Sequence, residues 1–138
     1  MEEGQSLAGR AATGVNAIVI DDDVDVRDLF VELLKMNEVE VVGIGSNGKE
    51  ALDLYKAHRP DFVFIDYIMP EYDGLYGAGK IREVDPHAKI VLVSGSYFEP
   101  GKLDGLVSAI LKKPIEIRDV ISVVNKMASP IDLSQTLP

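Results

Sequence analysis

The sequence predicts a doubly wound α/β fold, a five-stranded parallel sheet covered by helices on both faces. Three observations lead there. Short apolar runs without polar alternation recur along the chain: Ile18-Val19-Ile20, Phe62-Val63-Phe64-Ile65, Ile90-Val91-Leu92-Val93 and Ala109-Ile110-Leu111. Strands of that kind are buried on both sides, as parallel strands are. The stretches between them carry apolar residues at helical spacing, so strands and helices alternate. Each run also ends in a polar group: Asp21-Asp22-Asp23, Asp66, Ser94-Gly95-Ser96 and Lys112-Lys113. In open α/β sheets, ligands bind at the carboxyl ends of the strands.

In chain order, residues 1–14 are rich in Gly, Ala and Ser and lack periodicity, so they read as a flexible N-terminal tail. The folded domain is expected over residues 15–128. Its first strand is Asn16 to Ile20. After the acidic triplet, Val26, Leu29, Phe30, Leu33 and Leu34 fall at helical spacing. Asp23 and Asp25 suit the start of that helix, where the backbone dipole favours negative charge.

Val39 to Ile44 reads as the second strand. Asn47 with Glu50 resembles a capping box for the second helix. Ala51, Leu52 and Tyr55 form its apolar face, and His58-Arg59-Pro60 ends it. The strand ending at Asp66 follows. A third helix is expected from about Leu75 to Val84. There Gly77 and Gly79 each weaken it by about 1 kcal/mol relative to Ala, unless they serve close packing.

Asp85-Pro86-His87 is a turn before the fourth strand. Over Tyr97 to Val107, Pro100 and Gly101 allow at most a short helix. Ser108 to Leu111 is the fifth strand. Ile117, Val120, Ile121, Val124 and Met127 mark a final amphipathic helix. Residues 129–138 read as a C-terminal tail or a truncated linker.

The 138 residues are one domain's worth and can bury a sizeable core without a disulfide. There is no cysteine, so thiolate chemistry is excluded, and a cytoplasmic setting is expected. Fourteen basic residues against 23 acidic give a net charge of −9, which argues against nucleic acid and against an anionic membrane surface. No apolar run is long enough to span a bilayer. Glu2 and Glu3 replace the basic start of a signal peptide. His58 and His87 lack metal-ligand spacing, and Gly43-Ile44-Gly45 lacks the third glycine of a dinucleotide loop.

Together Val19-Ile20-Asp21-Asp22-Asp23, Asp66-Tyr67-Ile68-Met69-Pro70 with Asp73-Gly74, Ser94, and Lys113-Pro114 resemble the response-regulator receiver domain of two-component signalling. Each motif is weak alone; their order, spacing and strand-end placement make the resemblance, which covers Asn16 to Ala128. It implies a flavodoxin-like strand order of 2-1-3-4-5. It also implies that Asp66 is a phosphoacceptor. Asp22 would be a direct Mg²⁺ ligand and Asp21 a ligand through water, with Asp66 and the main-chain carbonyl of Ile68 completing the oxygen set. Ser94 and Lys113 would contact the phosphoryl group, and the Lys113-Pro114 peptide would be cis. Asp23 would serve only the helix start.

The implied partners are a histidine kinase or a histidine phosphotransfer protein, an unidentified output protein, and a second copy in a phosphorylation-dependent dimer. The resemblance implies no turnover of an external substrate. Aspartyl-phosphate phosphohydrolases of the haloacid-dehalogenase type are the enzyme alternative, but they carry a second Asp two residues on, where this chain has Ile68. A receiver cut from a longer regulator is another alternative. Two departures from the family pattern stand out. Ile110 occupies the place of an aromatic switch residue, and the stretch from Ser94 to Lys113 is short. Tyr97 or Phe98 could stand in for that aromatic.

Overall fold

The computed structural model describes residues 14–128. Of the tails read over residues 1–14 and 129–138, all but Gly14 lies outside the described residues. Within them, strands β1 (Asn16–Ile20), β2 (Glu40–Gly45), β3 (Phe62–Asp66), β4 (Ile90–Ser94) and β5 (Ala109–Lys112) form one sheet in the order β2-β1-β3-β4-β5. All neighbouring pairs are parallel. The helices are α1 (Val24–Met36), α2 (Gly48–His58), α3 (Gly74–Val84) and α4 (Ile117–Ala128).

Side chains alternate along each strand, so each strand feeds two cores. Ala17, Val19, Phe62, Phe64, Val91, Val93 and Leu111 pack with Phe30 and Leu34 of α1 and Val120 and Val124 of α4. Ile18, Ile20, Val63, Ile65, Ile90 and Leu92 pack on the other face with Ala51 and Tyr55 of α2, Ala78 and Ile81 of α3, and Leu103. This two-sided burial is why the central runs show no polar alternation.

Local chemistry sets the helix ends. Asp23 caps α1 by accepting from the backbone N–H groups of Asp25 and Val26. Asn47 caps α2 by accepting from Lys49 and Glu50, while the Glu50 carboxylate reaches back to Ser46 N. Arg59, in the left-handed region at φ 43°, ends α2. Asp73 accepts from Tyr76 N at the start of α3. Gly77 permits close packing of α3 on α2, since a Cβ there would lie 3.0 Å from Gly48 Cα.

Several expectations need correction. β2 and β5 each begin and end one residue later than the sequence suggested. Leu29 falls at helical spacing but is exposed, because only Phe30 and Leu34 of α1 are fully covered. Between β4 and β5, where at most a short helix was expected, residues 100–106 make successive turns and no helix forms among the described residues, in keeping with that reading. That crossover leaves Ile110 42% exposed, although the continuous apolar run had suggested a strand covered on both sides.

Candidate functional site

The strand ends bring the singled-out side chains to one edge. Asp21 follows β1; its amide donates to Gly45 O of β2 at 3.0 Å, and its carboxylate accepts from Asp23 N at 2.9 Å. Asp66 closes β3 beside Val93 of β4. Ser94 closes β4, and its hydroxyl accepts from Ser96 N at 2.9 Å. Lys113 follows β5; its amide donates to Ser94 O at 3.0 Å, and its peptide with Pro114 is cis. Asp21, Asp66 and Ser94 are buried polar residues, while Asp22 is exposed.

The carboxylates of Asp21, Asp22 and Asp66 present oxygens that all lie within 4.8 Å of one another. Lys113 Nζ reaches Asp66 Oδ1 at 2.7 Å and Asp21 Oδ2 at 3.7 Å. Burial pushes the Asp66 carboxyl above its usual range, against the hydrogen bond and charge of Lys113. Burial likewise raises Asp21, helped by the charges of Asp66 and Asp22. Burial alone would lower Lys113. The hydrogen bond to Asp66 and the surrounding carboxylates outweigh it, so the amine is held above its ordinary value.

The group opens into a cleft of about 210 Å³ lined by Asp66, Tyr67, Ile68, Ser94, Gly95 and Lys113. Ile68 is 68% exposed on its rim, and Lys112, next to Lys113, faces solvent on β5. Ser96 meets Ser94 only through its backbone N–H. Two wall residues, Tyr67 and Gly95, stand in the quoted motifs but were given no site role from the sequence. Their one signal is adjacency: each directly follows a residue that was given one. Gly74, at the start of α3, passes so close to β3 that a Cβ would sit 2.2 Å from Asp66 O. Glycine there lets α3 start directly under the cleft.

The residues fit a small hard cation. The donor set is three carboxylates at one sheet edge, and a single lysine offsets only part of their charge.

The sheet order and the acidic cleft at its carboxyl edge define an α/β protein of the flavodoxin-like class. Residues 17–125 match the response regulator receiver domain, and the chain belongs to that family. It is 30% identical over 112 residues to the chemotaxis protein CheY of Bacillus subtilis, covering 79% of this chain and 93% of that protein. It is 32% identical over 113 residues to CheY of Halobacterium salinarum, covering 76% and 92%. Among solved structures it resembles a CheY-like response regulator receiver domain from Methylobacillus flagellatus, with TM-score 0.74, 28% identity, and 82% and 98% of the two chains covered. A CheX–CheY complex with BeF₃ and Mg²⁺ from Borrelia burgdorferi shares the fold, with TM-score 0.76 at 24% identity, over 83% of this chain and 89% of that one. The protein is thus a receiver domain of two-component signalling, a phosphoacceptor switch by family.

Proposed function

We propose that Asp66 is the residue that carries the phosphoryl group, taken from a phosphohistidine of a histidine kinase or a histidine phosphotransfer protein. The carrying observation is the placement of its carboxylate. It ends a wholly buried strand, touches Lys113, joins Asp21 and Asp22, and shares its cleft with Ser94. A carboxylate in that position is an accepted nucleophile for phosphorus.

In the transfer, an Asp66 oxygen forms the new bond to phosphorus while the P–N bond to the donor imidazole breaks, and the imidazole leaves neutral, its other ring nitrogen carrying a proton taken from solvent. The chain's own part is positioning and charge neutralisation. Lys113 moves its ammonium from the Asp66 oxygen to a phosphoryl oxygen. The Ser94 hydroxyl donates to another while it still accepts from Ser96 N. Asp21 and Asp22, with Asp66 and the Ile68 carbonyl, would hold Mg²⁺. Bound there, the ion offsets the negative charge that the carboxylates and the incoming group share.

The chain's chemistry is confined to its own Asp66, so the product is an altered surface for an output protein or a second copy. Ile68 supports that reading over a phosphohydrolase, because it puts an apolar side chain on the cleft rim in place of a general acid. A cytoplasmic setting and a working unit of residues 15–128 complete the reading.

The test is intact mass after incubation with Mg²⁺ and acetyl phosphate. One added phosphoryl group is expected, lost when Mg²⁺ is chelated and absent in Asp66→Asn. An adduct that persists in Asp66→Asn would overturn the assignment. So would no adduct with acetyl phosphate or phosphoramidate.

A further inference from the structure

The turn from β2 to α2, Gly45 to Gly48, lines no part of the cleft, yet it is bonded to both backbone segments that carry the site's oxygens. At one end Gly45 O accepts from Asp21 N at 3.0 Å. At the other, Gly48 N donates to Tyr72 O at 2.7 Å, in the loop that leads from Asp66 to α3. That loop contains Ile68, whose carbonyl belongs to the proposed oxygen set. The turn is itself held on two sides. Asn47 accepts from Lys49 N and Glu50 N at 2.9 Å each, and the Glu50 carboxylate accepts from Ser46 N at 2.7 Å. Arg27 of α1 donates to Ser46 Oγ at 3.2 Å.

The loop is stiff as well. Pro70 locks its own φ and keeps Met69 extended. Tyr72 N donates to Pro70 O at 2.8 Å, and Glu71 between them stands at φ 68°, in the left-handed region. A residue other than glycine keeps that conformation only where its surroundings impose it. A shift at Tyr72 O is therefore passed back towards Ile68 rather than absorbed. Gly48 is where the fit is closest. A Cβ there would lie 2.4 Å from Asp73 O, 2.9 Å from Gly77 N and 3.1 Å from Tyr72 O, all backbone atoms. Gly48 is not in the left-handed region, so glycine serves contact here rather than conformation.

We propose that the β2–α2 turn is a brace that sets the spacing between the Asp21–Asp22 segment and the Ile68 carbonyl, with Gly48 as its positioning residue, and so fits the site to a small divalent cation. The inference rests on the reading of Asp21, Asp22, Asp66 and Ile68 as the Mg²⁺ site. Mg²⁺ demands near-ideal octahedral oxygens at about 2.0–2.1 Å, whereas Ca²⁺ accepts more ligands at about 2.3–2.6 Å in looser geometry. A brace of fixed length favours the first ion. Displacing it penalises Mg²⁺ more than Ca²⁺.

The test is calorimetric titration of the native chain and of Gly48→Ala, with MgCl₂ and with CaCl₂. Gly48→Ala is expected to raise the Mg²⁺ Kd about tenfold, the low end of the loss when a group supporting a metal site is replaced, and to leave the Ca²⁺ Kd nearly unchanged. Val124→Ala, in the opposite core layer, should lower stability and leave the ratio of the two constants as it is. Both constants unchanged in Gly48→Ala, or both raised by one factor, would overturn the brace and leave the Mg²⁺ site standing. So would a ratio that moves equally in Val124→Ala. A native chain that takes up no Mg²⁺ would overturn both readings. The native protein also supplies a check that does not depend on the variant folding. Because binding and local opening are linked, saturating Mg²⁺ should slow hydrogen exchange of the Gly48 amide about tenfold. The Arg59 amide, bonded to Tyr55 O at the far end of α2, should not change. Equal slowing at both amides, or none at Gly48 with Mg²⁺ bound, would refute the brace.

Discussion

Gly77 and Gly79 lie two residues apart on α3, and alanine at each should move stability in opposite directions. In a helix interior, Ala in place of Gly stabilises by about 1 kcal/mol. At Gly79 that gain is unopposed, because a Cβ would meet only Leu106 Cδ1 at 3.9 Å, an ordinary contact. At Gly77 a Cβ would lie 2.8 Å from Ile65 Cδ1, 3.0 Å from Gly48 Cα and 3.1 Å from Gly48 O. Ile65 is fully buried, and Gly48 offers backbone, so neither can turn aside. Such overpacking costs about 1–3 kcal/mol. Taking the upper part of that range less the helix gain, Gly77→Ala should lose roughly 1–2 kcal/mol. The assay is urea unfolding followed by circular dichroism. With a slope of about 2 kcal/mol/M, Gly79→Ala should raise the midpoint by about 0.5 M and Gly77→Ala should lower it by about 0.5–1 M. A rise in both would mean that α2 can move off α3 at no cost, and the reasoning would fail. A fall in both would mean that the space beside Gly79 is not open.

Three further outcomes follow from the same geometry. Lys113→Met should slow phosphorylation by acetyl phosphate about 10²-fold, the usual cost of removing one preorganised donor, while Lys112→Met, on the exposed neighbour, should leave it nearly unchanged; equal effects from the two, followed by intact mass, would refute the role given to Lys113. Arg82→Met strips hydrogen bonds from Leu106 O, Ala88 O and Ser108 Oγ and should cost about 1–3 kcal/mol, with faster amide exchange at residues 103–108; unchanged exchange there would show that the guanidinium does not hold the crossover. Tyr55, buried and donating to Asp85, has its hydroxyl pushed up to about 12, by burial first and by Asp85 second. Because the folded value lies above the unfolded 10.0, its contribution is full below pH 10 and is lost as pH rises towards about 12. The urea-midpoint difference between the native protein and Tyr55→Phe should therefore shrink above pH 10, and a difference that grows there would reverse the sign.

The sequence speaks most clearly where one strand determines its own fate, and least where the tertiary structure decides. Phe62 to Asp66 is legible because the strand is central: both faces are covered, and its last residue must emerge at the carboxyl edge. The same reasoning brings Asp21, Ser94 and Lys113 to that edge, and their ladder bonds keep them there. Val39 illustrates the opposite case. It is apolar and buried, yet its amide turns back to Leu34 O, so β2 starts one residue later. Ser108 differs: its amide already donates to Ile90 O of β4, but its hydroxyl is taken up by Arg82, Ile90 N and Ala88 O, and β5 starts after it. The crossover carries no period that a helix would impose. Its shape depends on Leu103 entering the α2–α3 core and on a guanidinium from α3, contacts that no local pattern announces.

Ile110 shows what that costs an inference from apolarity alone. Ala109-Ile110-Leu111 reads like the central runs, but β5 is an edge strand, and the turns that replace a covering helix leave one of its faces half open. Exposed apolar area beside an unpaired strand edge invites association. Phe98 lines the same groove as Ile110. The departures in the crossover and at position 110 are therefore one feature. Among the described residues the covering helix is absent, the strand face opens, and an aromatic from the shortened connection lines the groove beside it.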